Sequence, residues 1–414
     1  MSTCSTTRPW NGGSRWDEPG MKRQLDVAIV GGGIAGLTLA TSLLQKSISV
    51  QIFEQDTELR EIGAGVAIGG NATRLLERLG VDLTQVSNMP PAVEFRRWRD
   101  GALLWPHPIG EWYRKEVGAP FLTLHRGTLQ RLLAASVPPE CINLNHRLVG
   151  LHGEFDGVRL QFEKGDDGIN SVVRRYVCKD VQPAYSGEIG FRGVIPTEKS
   201  QDLPTPTSLH IWCGPTTDVV YYGVDRSELV NLLAVYRPHD LPEWTRFSSR
   251  TAATREQALS IFEQYSWDRR ILDLVPNIEG DMSFWALVEL PRLPRWSRGR
   301  VMLLGDAAHA PLPHQGQGAG QAIEDAYAFG VLLAQRESED YKETFKNFER
   351  LRKRRTRRVQ VYSRLAGRAY KLIGEAAKRR DASWPLLPQR IGWIHTYREE
   401  EMVQLRNQTV FPDT

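Results

Sequence analysis

A chain of 414 residues is long enough for two or three packed units rather than a single core. Its 41% apolar and 25% charged residues are ordinary for a soluble globular protein, and a net charge of +4, from 53 basic and 49 acidic residues, is too small to argue for nucleic acid. Cys4, Cys141, Cys178 and Cys213 form no C-x-x-C pair and lie near no histidine at metal spacing, so neither a metal site nor a disulfide framework is expected.

Residues 1–20 are polar and rich in Gly, Ser and Thr, which predicts a disordered, dispensable leader rather than a signal peptide. No apolar run approaches the ~18–20 residues of a membrane helix, and a cytoplasmic location is expected. Leu25–Val30 reads as a buried strand followed at once by glycines and a helix whose apolar face carries Leu37, Ala40 and Leu44. Ser49–Phe53 is the next strand, so the unit is βαβ and implies a parallel sheet. Helices are predicted over 71–80, ended by Gly80, and over 128–136, and Val158, Leu160 and Phe162 alternate as on an exposed strand. Runs at 208–213, 218–224 and 229–236, separated by short turns, predict an antiparallel sheet. A polar stretch, 237–252, reads as a surface loop and 254–265 as an amphipathic helix. Val301–Leu304 is a second very apolar strand, before a glycine-rich turn and a helix whose buried stripe is Ala322, Ala326, Phe329 and Leu333. The remainder is helical and basic, and its densest run, Arg352–Arg358, reads as a solvated helix face.

Two motifs carry chemistry. Gly31-x-Gly33-x-x-Gly36 follows a strand and opens a helix, where glycines allow a tight turn and close approach of a pyrophosphate, and the helix dipole faces the phosphates. Glu54 ends the second strand, 18 residues beyond Gly36, where a carboxylate can accept hydrogen bonds from ribose hydroxyls. Alone, that pattern leaves the dinucleotide unnamed. The second motif, Gly305-Asp306-Ala307-Ala308-His309, ends a strand with an aspartate able to bind a ribityl hydroxyl. The helix that begins near Gly316–Gly320 can aim its dipole at a flavin ring.

With these residues in hand, the chain resembles the class A flavin monooxygenases, in particular the salicylate-hydroxylase-like branch common in fungal secondary metabolism. The matching stretches are VAIVGGGIAGLTLA at 27–40, Glu54, REIGAGVAIGGNATRLLERLG at 60–80, LTLHRGTLQRLL at 122–133, DDGINSVVRR at 166–175, FRGVI at 191–195 and RVMLLGDAAHAPLPHQGQGAGQAIEDA at 300–326. The resemblance covers essentially everything after residue 21. It implies an α/β fold: a Rossmann-like FAD-binding domain (21–184 and 291–340), an inserted β-sheet substrate domain (185–290) and a helical C-terminal region (341–414). It also implies that Gly31, Gly33 and Gly36 cradle the FAD pyrophosphate and that Glu54 holds the adenosine ribose. Gly65 would lie against the flavin end and Arg126 would contact FAD. Asp306 would bind the ribityl chain, with Gly318 and Ala319 under the flavin ring. Arg192 and Tyr222 are the catalytic or substrate-positioning candidates, with Tyr221 an equal neighbour of Tyr222.

The expected activity is hydroxylation of an aromatic or polyketide- or meroterpenoid-like small molecule through a flavin hydroperoxide, with FAD as cofactor and NAD(P)H and dioxygen as co-substrates. Only one dinucleotide fingerprint is present, so NAD(P)H would dock transiently. A flavin dehydrogenase or oxidase is the alternative from another class. A flavin-binding protein with impaired turnover is a further one, because the apolar strand that family members carry before Asp167-Gly168 is missing. His309 and His314 are expected to be structural, since the flavin carries the redox chemistry.

Overall fold

The computed structural model describes residues 25–59, 65–154, 157–163, 171–179, 181–240, 242, 245, 250–263, 265–336 and 341–408. The leader 1–20 and the Asp167-Gly168 pair therefore lie outside the described residues. The fold is α/β, as the resemblance implies. Val27–Val30 pairs in parallel with Val50–Phe53, from Val27↔Val50 to Val30↔Phe53, and Val50–Phe53 pairs in parallel with Ile142–Asn143. The intervening helix, Ile34–Leu44, is buried on more than one face. It is packed against the helix Gly318–Ala334 so closely that a Cβ on Gly330 would lie 2.3 Å from Ser42 Oγ.

Six strands from the middle of the chain and two from 92–108 form an eight-stranded sheet in the spatial order Arg250–Ala253, Met282–Glu289, Ala184–Pro196, Leu229–Tyr236, Thr217–Val224, Leu209–Cys213, Ala92–Arg97 and Leu103–Pro108. Neighbours are antiparallel except Leu209–Cys213 with Ala92–Arg97. Arg250–Ala253 corrects the expectation of a loop through 252: the segment is a short edge strand, too polar to show apolar alternation. One face of the sheet buries Phe191, Trp212, Val219 and Tyr221 beneath the helix Arg255–Glu263. Because successive strand residues alternate sides, Arg192 and Tyr222 lie on the other face.

Val158–Glu163 pairs antiparallel with Arg147–Gly153 as a hairpin. Among the described residues it adds no strand to the parallel sheet; Phe162 instead stacks on Phe53, ring centres 4.5 Å apart.

The C-terminal region is helical, led by Tyr341–Tyr370. The basic run within it is not the solvated face expected of it. Arg354 and Arg358 are exposed, but Arg352 is fully buried and Arg355 nearly so. The helical period turns positions 352, 355, 356 and 359 inward, and there the guanidiniums meet carboxylates. Arg352 pairs with Glu324, Asp325 and Glu399, and Arg355 with Glu324. Among the described residues no helix is long and apolar enough to cross a membrane.

Candidate active site

The glycines of the first turn differ in what constrains them. Gly31 has φ +105°, a conformation L side chains rarely adopt. At Gly36 a Cβ would stand 2.0 Å from the carbonyl oxygen of Gly31, so turn and helix could not close. Gly33 has φ −79° and nothing within 4 Å of a built Cβ; its backbone faces open space. That combination fits a turn that leaves room for a phosphate-bearing ligand at the helix start. The Glu54 carboxylate accepts the Gly32 amide at 2.6 Å and the Asp56 amide at 3.1 Å, which fixes it beside the turn. Gln130, unremarked in sequence, donates from Nε2 to the Gly32 carbonyl at 2.9 Å.

The second motif lies against the first. Gly305 has φ +55°, and a Cβ there would be 3.2 Å from the Cβ of Ala35 in the first helix. Asp306 begins the short helix Asp306–His309, and its side chain is exposed to solvent although it sits deep between elements. An accessible carboxyl in such a position lines a cleft. Burial raises its pKa, against the charges of His309 and Arg126. Arg126 opens the helix Arg126–Ala135, capped by His125. Gly316, at φ +60°, places its turn 3.7 Å from the Ala67 Cβ, measured from a built Cβ. Gln317 then stands at the start of Gly318–Ala334, with no side-chain capping bond. Gly318 faces open space, whereas Ala319 is half-buried against the core.

The cleft continues to the large sheet. Gly65 donates its amide to Asn231 Oδ1 at 2.6 Å, and a Cβ at Gly65 would stand 2.6 Å from Tyr222. Tyr222 pairs with Asn231 across strands, and Arg192 with Leu233 two positions along the same neighbour. Arg192 and Tyr222, 30 residues apart in sequence, are thus brought together. Burial lowers the pKa of Arg192, Arg126 lowers it further, Tyr222 raises it and Arg250 lowers it. Burial raises the Tyr222 phenol well above its usual range, so it stays protonated. Among the described residues no carboxylate pairs with Arg192; its guanidinium lies 5.4 Å from the Trp285 ring centre, and Arg250 lies 4.7 Å from the same ring. Tyr221 is separated from this group. It points to the opposite face, stacks on His210 at 4.5 Å and donates to the Pro204 carbonyl.

Asn231, Trp285 and Arg250 carry no motif, and only strand pairing brings them here. The two histidines are held by acids. His309 Nε2 is 2.6 Å from Asp325 and His314 Nε2 is 2.9 Å from Glu188. Burial works to raise Glu188, but the hydrogen bond with His314 and the charge of Lys371 hold it down at about 2. Among the described residues no group of His, Cys, Asp and Glu could hold a metal ion.

The residues along the cleft fit FAD: a second glycine turn packed on the first helix, one exposed aspartate at a helix start, and backbone open to a ligand at Gly33 and Gly318. The family model described as "FAD binding domain" matches residues 24–362. A 3-amino-4-hydroxybenzoate 2-monooxygenase of Streptomyces platensis is 34% identical over 372 residues, covering 87% of this chain and 92% of that protein. A salicylate hydroxylase of Pseudomonas putida is 31% identical over 398 residues, 85% and 86% of the two chains. The solved structure of a salicylate hydroxylase substrate complex superposes with a TM-score of 0.77 at 28% identity, covering 94% of this chain and 99% of the other. The chain therefore belongs to the salicylate-hydroxylase-like class A flavin monooxygenases, NAD(P)H-dependent enzymes built on an FAD-binding domain.

Proposed function

We infer that the protein hydroxylates an electron-rich aromatic small molecule that bears an acidic group, a phenol or a carboxylate. The observation that carries this reading is Arg192. It is half-buried, flanked by the cations Arg126 and Arg250, and among the described residues no carboxylate pairs with it. A cation so placed favours an anion, and charge-assisted hydrogen bonds to one are strong and directional. Tyr222, neutral and beside it, donates a hydrogen bond that orients the bound ring. Trp285 offers a flat apolar surface on the same face.

FAD, when bound, would supply the redox chemistry by which NAD(P)H reduces dioxygen, one oxygen atom going to the substrate and the other to water. Gly31, Gly33 and Gly36 would hold its pyrophosphate, Glu54 its adenosine ribose and Asp306 its ribityl chain. Arg126, Gly65, Gly318 and Ala319 would line the rest. The sheet residues hold the aromatic ring, favour its electron-rich ionised form and exclude water. Relatives that act on amino- and hydroxybenzoates support a substrate of this class, and resemblance to the fungal branch supports a role in secondary-metabolite biosynthesis. The test is a panel of hydroxybenzoates, aminobenzoates and larger phenolic polyketides, following NAD(P)H oxidation and product mass under ¹⁸O₂. Label in a product of an acidic arene is the expected result. Turnover without label would make the protein a dehydrogenase or oxidase.

A further inference from the structure

A fully buried charge network lies behind the cleft and reaches the cofactor turn through Asp325. The Gly305 amide, immediately before Asp306, donates to Asp325 Oδ2 at 2.9 Å. His309 Nε2 shares that oxygen at 2.6 Å. The other oxygen of Asp325 accepts Arg352 Nε at 2.7 Å. Arg352 continues from Nη1 to Glu324 at 2.5 Å and to Glu399 at 2.6 Å. Asp325, Arg352, Glu324 and Glu399 are all fully buried. Glu324 accepts Asn71 Nδ2 at 2.6 Å, and the same amide reaches Gln317, at the start of the helix Gly318–Ala334, at 3.1 Å. Glu399 is the first residue of the C-terminal helix Glu399–Gln408, which Glu400 fastens to Arg74 at 3.0 Å.

Gly305 adopts φ +55° and ψ −137°, so its amide direction depends on what receives it. Asp325 is that receiver, and it is aimed by Arg352. Of the three carboxylates that Arg352 meets, one, Glu399, comes from outside the FAD-binding elements, on the C-terminal helix. Taking one charge from such a buried set leaves the others uncompensated, and they rearrange. We propose that Asp325 is the positioning residue of the Gly305–Asp306 turn and that the C-terminal helix, through Glu399 and Arg352, sets how tightly FAD is held. This rests on the FAD site alone and not on any choice of substrate.

The experiment measures FAD released from the holoenzyme on dilution, by flavin fluorescence, beside the unfolding midpoint at saturating FAD. Asp325→Asn keeps the shape but cannot accept from Gly305, His309 and Arg352 together. Loss of one such charge-assisted bond weakens FAD about tenfold to hundredfold. Arg352→Lys, which replaces the fork reaching Asp325 from Nε and Glu399 from Nη1 with a single nitrogen, and Glu399→Ala, remote from the cleft, shift FAD release in the same direction. Arg380→Met breaks a different buried arginine, bound to the carbonyls of Ala369 and Tyr370. It lowers the unfolding midpoint without changing FAD release. Wild-type FAD retention in Arg352→Lys and Glu399→Ala overturns the proposal, as does an Arg380→Met release equal to theirs. Neither of these results needs Asp325→Asn, so the proposal is tested even where that variant does not fold.

Discussion

Gly33 and Gly36 stand three residues apart in one motif, yet replacing each with alanine is expected to fail in opposite ways. At Gly36 a Cβ would lie 2.0 Å from Gly31 O, 3.2 Å from Gly31 C and 3.1 Å from an Ile29 methyl. Two of those atoms are backbone, so the clash is relieved only by moving the helix Ile34–Leu44 away from the turn. That helix carries Leu37, Ala40 and Leu43, all fully buried. Overpacking of this kind costs about 1–3 kcal/mol or more, and the apoprotein itself is destabilised. At Gly33 the backbone is ordinary extended chain and the added methyl meets no protein atom. An alanine there loses a little as a helix cap and gains a little from a less flexible unfolded chain, each effect below about 1 kcal/mol. Its methyl occupies the space that a pyrophosphate would enter, so FAD binding is lost while the fold is kept. The assay pairs urea unfolding of apoprotein with FAD titration by fluorescence quenching. Gly33→Ala apoprotein that binds FAD like wild type refutes the reasoning. So does Gly36→Ala apoprotein that unfolds at the wild-type midpoint.

Asp306→Ala should weaken FAD through loss of about 1–3 kcal/mol of hydrogen bonding, with little change in apoprotein unfolding because its carboxyl is exposed to the cleft; unchanged FAD affinity would remove it from the site. Arg192→Ala should bind FAD normally but convert reducing equivalents to hydrogen peroxide, with product per NAD(P)H and turnover down by about tenfold to hundredfold. Tyr222→Phe should show a milder uncoupling and Tyr221→Phe none, since Tyr221 faces the other side; equal effects from the two tyrosines would contradict the strand register. Burial pushes Glu399 up to about 8 against the pull of Arg352. Its folded pKa therefore exceeds its unfolded one, and its contribution to stability is full below the ordinary carboxyl range and lost as pH rises toward 8. Glu399→Gln should flatten that part of the stability–pH profile, measured by urea midpoint from pH 5 to 9.

What sequence reveals here is local. A buried strand, a glycine turn and a helix are adjacent in the chain, so the βαβ unit and its turn are legible from Val27 to Phe53. The position of Arg192 beside Tyr222 is not, because it depends on both strands pairing with Leu229–Tyr236. The choice between Tyr221 and Tyr222 stays open in sequence for a related reason. Thr217–Val224 is buried on both faces, so both tyrosines fall in one apolar run and alternation does not mark a side. Leu103–Pro108 holds two prolines and pairs only at the sheet's edge, where a missing amide is tolerated. Arg352 departs from expectation because a basic run is ordinarily solvated. Its buried partners, Glu324, Asp325 and Glu399, come from two other helices 27 to 47 residues away.

The cleft is held together where glycine backbone packs against side chains. Gly305 meets Ala35, Gly316 meets Ala67, and Gly65 meets Tyr222 and Asn231. At the last of these the separation is set by a hydrogen bond as well, from the Gly65 amide to a nearly fully buried asparagine. Asn231 lies opposite Tyr222, so the group that fixes the flavin-side loop and the group that would orient substrate share one row of the sheet. On the proposed assignment, a substrate that shifts Tyr222 would press on Gly65, and a cofactor that shifts Gly65 would press on Tyr222. Neither contact has slack, since a single added carbon at Gly65 would overlap both side chains. With FAD at Gly65 and substrate at Tyr222, as proposed, their positions would be coupled through the packing of one glycine rather than through a hinge. On that proposal the distance between the oxygen donor and the ring would be a property of the folded chain.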